Sequence, residues 1–169
     1  ALAPDSAQMM FNRSVLTDWA GTSGINQGVA QTERLGMKIR VTNVIAHLAC
    51  QGAPGADTDL DCYLILDKAK NGGLPASTDL KQPLFGPVAF YEFNNLSRWP
   101  SRFQVLAYKH LRVPTFATGD TGIATVTLAW KGNLRIDYGG SNTGDDTNII
   151  NNNIFVWVLP SIVGGSNVA

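Results

Sequence analysis

A chain of 169 residues with zero formal net charge fits one domain and excludes a strongly basic nucleic-acid-binding module. Only 15% of the residues are charged, against roughly 25% in a typical soluble domain, which suits a subunit whose outside is covered by neighbours. Two cysteines, Cys50 and Cys62, are too few for a disulfide framework, and no apolar run is long enough to span a membrane.

The first residues, Ala1 to Asp5, have neither the charged nor the apolar region of a secretory signal. They also lack an initiator Met, so the chain reads as processed. Frequent Gly, Pro, Asn and Asp then divide the sequence into short β-like runs, as a turn-rich β protein requires. Met9 to Asp18 includes a β-capable run. Met37 to Cys50 is a long strand candidate rich in Ile, Val and Thr. Its first half places Ile39 and Val41 on one face and Lys38, Arg40 and Thr42 on the other. The phase then slips to Val44, Ala46 and Leu48, so a bulge is expected near Asn43.

Leu60 to Asp67 follows a Gly-Pro-Asp loop. Both of its registers are apolar, predicting a strand buried on both faces. Cys50 and Cys62 would lie close if their strands were neighbours; free, buried thiols are the expectation. Lys68 to Pro100 is poor in strand signal, and short helices are expected within Ala76 to Leu96. Its aromatic residues Phe85, Phe90, Tyr91, Phe93 and Trp99 mark it as packed. Arg102 to Val113 reads as a strand, and Ala124 to Tyr138 as a long strand or a hairpin interrupted at Lys131-Gly132. After the polar stretch Gly139 to Asn153 comes a continuous apolar strand, Ile154 to Leu159. The pattern predicts one all-β domain over 1–169, an antiparallel sandwich with Greek-key or jelly-roll wiring.

Catalytic constellations are missing from the linear sequence: no nucleophile elbow, P-loop, His-Glu-x-x-His or Cys-x-x-Cys occurs. Both histidines, His47 and His110, fall inside predicted strands, where a structural role is the ordinary one. No catalytic residue, enzymatic activity or cofactor is therefore expected. Asp57, Asp59 and Asp61 alternate before a strand and suit a hard cation such as calcium at a subunit interface. The pair Asp145 and Asp146 is a second acidic cluster. Solvated turn carboxylates are the plainer reading of both. Trp19, Trp99 or Trp130 would serve as a stacking platform if the domain were instead a carbohydrate-binding module.

Several segments together resemble the single jelly-roll coat proteins of small circular single-stranded DNA viruses, the geminivirus and circovirus-like group, and the related satellite tobacco necrosis virus type. Leu35 to Val41 is similar to the lead-in of the family's long fourth strand. Tyr63 to Pro75 is similar to a strand ending in a charged turn. Asn94-Asn95-Leu96 followed by Arg102 to Leu106 resembles the approach to the sixth strand, and Trp130 to Tyr138 the seventh. The resemblance spans about Leu35 to Leu159 and implies an eight-stranded jelly roll that assembles with identical subunits into an icosahedral shell around single-stranded nucleic acid. It implies residence in the virion, passage through the host nucleus if the genome is DNA, and no membrane. Two departures stand out: the family's Arg/Lys-rich N-terminal arm is not in this chain, and little strand-like sequence follows Leu159. Genome contact is then expected on strand-borne cations of an inner face, Lys38, Arg40, Lys109 and Arg112, with Arg13 and Arg34 as weaker additions. Shell contacts are expected from Phe85 to Trp99, Gln51 to Asp59 and Gly139 to Asn153.

Overall fold

A computed structural model describes residues 11–16, 25, 27–29, 34–51, 58–69, 82–85, 88–92, 102–114, 122–140 and 146–160. Strands hold most of them: β1 (Phe11–Ser14), β2 (Lys38–Gln51), β3 (Thr58–Asp67), β4 (Gln82–Phe85), β5 (Val88–Glu92), β6 (Phe103–Val113), β7 (Ile123–Tyr138), β8 (Ile149–Asn151) and β9 (Asn153–Pro160). The described residues are nearly all β. The two principal sheets are antiparallel, one ordered β1-β9-β3-β6 and the other β2-β7-β8; β4 and β5 form a separate hairpin.

The pairing is nested. β1 pairs with β9, β2 with β7, β3 with β6 and β4 with β5, each pair enclosed in sequence by the one before. One core lies between the two sheets. Leu60, Cys62, Leu64 and Leu66 of β3 and Ile154, Val156 and Val158 of β9 meet Ala46 and Leu48 of β2 and Leu128 of β7. Fully burying each of the larger side chains contributes about 1.5–3 kcal/mol relative to exposure. A second cluster closes one end of the three-stranded sheet, where Ile136, Tyr138 and Ile149 pack with Leu16.

The alternation read from β2 holds: Lys38 and Arg40 are exposed, Ile39 and Val41 are not, and Ala46 and Leu48 are buried after the phase change. The register shift lies between Val41 and Asn43, at the expected bulge. Strand β3 is buried on both faces as expected, with Leu64 and Ile65 both inaccessible to solvent. One expectation needs correction. The interval expected to hold short helices contains the β4–β5 hairpin, with Pro83 inside β4. Of the two readings of Ala124 to Tyr138, the long strand is the one found: residues 123–138 form one continuous strand. Gly132 lies inside that strand. It sits where β7 carries an extra residue relative to β2, beneath the ring of Trp130.

Two polar contacts fix strand ends. Ser14 is buried and donates its hydroxyl to Asn153 Oδ1 at 2.7 Å, tying β1 to β9. Asp67, 1% exposed, receives a bidentate pair from Arg102, Nε to Oδ1 and Nη2 to Oδ2, both at 3.0 Å. Lys68 N also donates to Arg102 O at 2.8 Å, so the end of β3 and the start of β6 are clasped together.

A Cβ on residue 132 would lie 2.3 Å from Trp130 Cζ2, far inside van der Waals contact. Gly132→Ala should therefore destabilise the domain by about 1–3 kcal/mol in denaturant titration. Adding Trp130→Leu should recover part of that loss; an equal or larger loss in the double variant would rule out the ring clash as the cause.

Candidate nucleic-acid interface

The three-stranded sheet carries the strongest positive surface among the described strands. Residues facing each other across an antiparallel ladder lie on the same side of the sheet. Lys38 pairs with Asp137, Arg40 with Arg135 and, beyond the bulge, Asn43 with Lys131. Lys38, Arg40, Lys131 and Arg135 are all exposed on the face away from the core. Four cations therefore share a strip with one carboxylate, Asp137. Arg135 donates from Nε to Asp137 Oδ1 at 2.9 Å, and this bond above all holds the Asp137 carboxyl below its ordinary range. The same face continues through Ile45, Ala129, His47 and Thr127, with His47 Nδ1 2.9 Å from Thr127 Oγ1.

Arg40 and Arg135 are directly opposed. Like charges at opposed ladder positions are destabilising, and a bound anion between them relieves the repulsion. The planar guanidinium suits phosphate oxygens because it presents a fork of donors.

The four sequence-predicted cations do not form one surface. Lys38 and Arg40 lie together on β2, whereas Lys109 and Arg112 belong to β6 in the other sheet. Even those two diverge: Lys109 is in register with the inward-facing Cys62, and Arg112 with Asp59 on the outward face. Lys131 and Arg135 were missed because cross-strand register is not written in the linear sequence. Arg34 leaves the set. It is 3% exposed, its guanidinium lies 4.2 Å over the Tyr138 ring, and it donates to Ile25 O and Gly36 O. Arg13 is exposed on β1, in the four-stranded sheet.

Asp59 and Asp61 share the outer face of β3, but an imidazole lies between them. His110 Nε2 is 3.4 Å from Asp59 Oδ1 and His110 Nδ1 is 3.2 Å from Asp61 Oδ1. Asp61 Oδ1 also accepts the Tyr108 hydroxyl at 2.8 Å. The carboxylates are engaged with side chains of β6 instead of converging on an ion. Among the described residues no group of three or more His, Cys, Asp or Glu is placed to hold a metal. Asp57 and Asp145 lie outside the described residues, as does the side chain of Asp146. So do Trp19 and Trp99. Trp130 packs half-buried against the core rather than standing as an open stacking platform.

Next to this polar group the rings of Tyr63 and Tyr108 stack at 4.8 Å between centroids, and Tyr63 lies 5.8 Å from Trp157. Burial, then the hydrogen bond to Asp61 and its charge, push the Tyr108 phenol up to about 12. Burial and the Asp61 charge raise Tyr63 as well. No protein-family model matches the chain, and no curated protein matches it in sequence. No helix among the described residues is long and apolar enough to cross a membrane.

Two outcomes follow from this geometry. Arg40→Glu replaces a like-charge pair with an opposite one, so it should stabilise the fold by about 0.2–1 kcal/mol while weakening retention of a single-stranded oligonucleotide. Thermal melting and fluorescence anisotropy read the two effects; unchanged oligonucleotide binding would remove the strip from consideration. The tyrosines set an alkaline limit. Unfolded tyrosine ionises near 10, whereas the folded group stays neutral to about 12, so the stabilisation is complete below pH ~10 and is lost as pH rises towards 12. Absorbance titration of phenolate should show Asp61→Asn lowering the Tyr108 midpoint.

Proposed function

We propose that this chain is the coat subunit of a small single-stranded-nucleic-acid virus, folded as an eight-stranded jelly roll and assembling into a closed icosahedral shell. The nested pairing of β1 with β9, β2 with β7, β3 with β6 and β4 with β5 is the observation that carries the reading. Rolling such a ribbon of paired strands produces two facing sheets with double Greek-key wiring. In this reading β1, β2, β3, β4, β5, β6, β7 and β9 are the eight strands, the β4–β5 hairpin extends the β2–β7 sheet, and β8 is a short addition on its edge.

The surface supports self-association. Leu35 is 80% exposed, Ile123 68% and Ile45 54%, in a chain with few charges. Exposed apolar residues and scarce charge suit contacts between subunits. Each contact in a shell is weak, but every subunit makes several, so closure is cooperative. The Lys38, Arg40, Lys131 and Arg135 strip supports a sequence-independent grip on genome phosphates. It is worth a salt-dependence slope of about −0.7 per phosphate neutralised on a single strand.

Static light scattering and negative-stain microscopy of the purified protein should reveal particles many subunits wide. A monomer at high concentration, with and without nucleic acid, would overturn the coat assignment. Within particles, Lys38→Gln with Arg40→Gln should lower packaged nucleic acid per shell while shells still form. Equal packaging would place genome contact elsewhere.

A further inference from the structure

We propose that Cys50 and Cys62 are a cross-sheet dithiol that closes to a disulfide, stapling the two sheets of one subunit together. This rests on the sandwich alone and holds whether or not the chain forms a shell. Cys50 lies on β2, in register with Ala124 of β7; Cys62 lies on β3, in register with Lys109 and Val158. The two strands belong to different sheets, and both side chains reach the core between them, Cys62 fully buried and Cys50 packed against the same cluster at its margin. The two thiols lie close enough to shift each other's ionisation. They are the only cysteines in the chain, so no other intrachain disulfide competes.

The environment divides the two roles. Burial above all pushes the Cys62 thiol up to about 12, and the nearby Cys50 adds to the rise. Burial also raises Cys50, but the hydrogen bond from Cys62 opposes that rise. Cys50 is the more accessible sulfur and the one whose thiolate receives a hydrogen bond. It is therefore the attacking group, and Cys62 resolves. With oxidised glutathione as oxidant, the Cys50 thiolate attacks one sulfur, the glutathione S–S bond breaks, and one glutathione thiolate leaves. Cys62 then loses its proton, its sulfur attacks the Cys50 sulfur of the mixed disulfide, and the second glutathione leaves. Two protein thiols are oxidised, one glutathione disulfide is reduced, and the departing thiolates take up the two protons. Both thiols being held protonated, the reaction is slow at neutral pH and accelerates as pH rises.

The closed loop spans the connection between β2 and β3, so the bond restrains the unfolded chain. The folded protein, incubated with oxidised glutathione and examined by intact mass after denaturation, should lose two hydrogens and all alkylatable thiol. Its thermal midpoint should rise by several degrees, and a dithiol reductant should reverse both changes. Cys62→Ala should accumulate one glutathione adduct on Cys50, and Cys50→Ala should react far more slowly. A wild-type chain that stops at a single glutathione adduct, links to a second chain, or stays fully reduced after prolonged exposure at mildly alkaline pH would overturn the proposal.

Discussion

Strand β3 is the constraint on which the remaining structure depends. It is hydrogen-bonded to β9 along one edge and to β6 along the other, and it is buried on both faces. Leu60, Cys62, Leu64 and Leu66 enter the core, so any slip of one residue would exchange four apolar side chains for Asp61, Tyr63 and their neighbours. The outward register is stabilised separately. Asp61 accepts from Tyr108 and faces His110, while Asp67 is gripped by Arg102. Losing Arg102 would leave an uncompensated carboxylate at a position 1% exposed, which is far costlier than losing a surface pair. Apolar packing on one side and satisfied carboxylates on the other thus specify the same register.

That register determines what the two sheets offer to partners. On β9 the outward residues Phe155 and Trp157 are as buried as the inward Val156, so that part of the four-stranded sheet is interior on both sides. The β2–β7 ribbon differs. Its outward face alternates exposed residues along both strands, with Lys38, Arg40 and Arg135 gathered on the Asp137 side of the bulge, Lys131 just beyond it, and Ile45, Ala49, Thr125 and Thr127 further along. One ribbon therefore presents a charged half and a nearly neutral half, both supported by the same inward row of Val41, Val44, Ala46 and Leu48.

Much of this was legible in the sequence where apolar spacing dominated. The two-phase alternation of β2 disclosed its bulge, and the doubly apolar β3 disclosed its central place. Strands β4 and β5 were not legible because Lys68 to Pro100 is poor in strand signal; Pro83 lies inside β4, and a proline is compatible with a short hairpin strand of this kind. β8 is three residues in a polar stretch, too short to carry a period. For the candidate site, exposure of Lys38 and Arg40 followed from alternation alone. Their companions Lys131 and Arg135 required the β2–β7 register, and the placement of His110 between two aspartates required the β3–β6 register. Arg34 looked like any other basic residue; only its stacking on Tyr138 and its donation to backbone carbonyls show that it serves the fold.

The opposition of Arg40 and Arg135 gives the charged half its meaning. A fold selected for stability alone has an easy remedy, since an acidic residue at either position would turn repulsion into attraction at no cost to the ladder. The neighbouring positions already use that remedy, with Lys38 facing Asp137 and Arg135 bonded to the same carboxylate. The opposition of Arg40 and Arg135 is thus a local departure from the pattern beside it. Such departures from local consistency are expected where a surface is built for an occupant rather than for the isolated chain. In the proposed reading, an extended polyanion lying along this face would meet both guanidiniums at once, with Lys131 and Lys38 on either side.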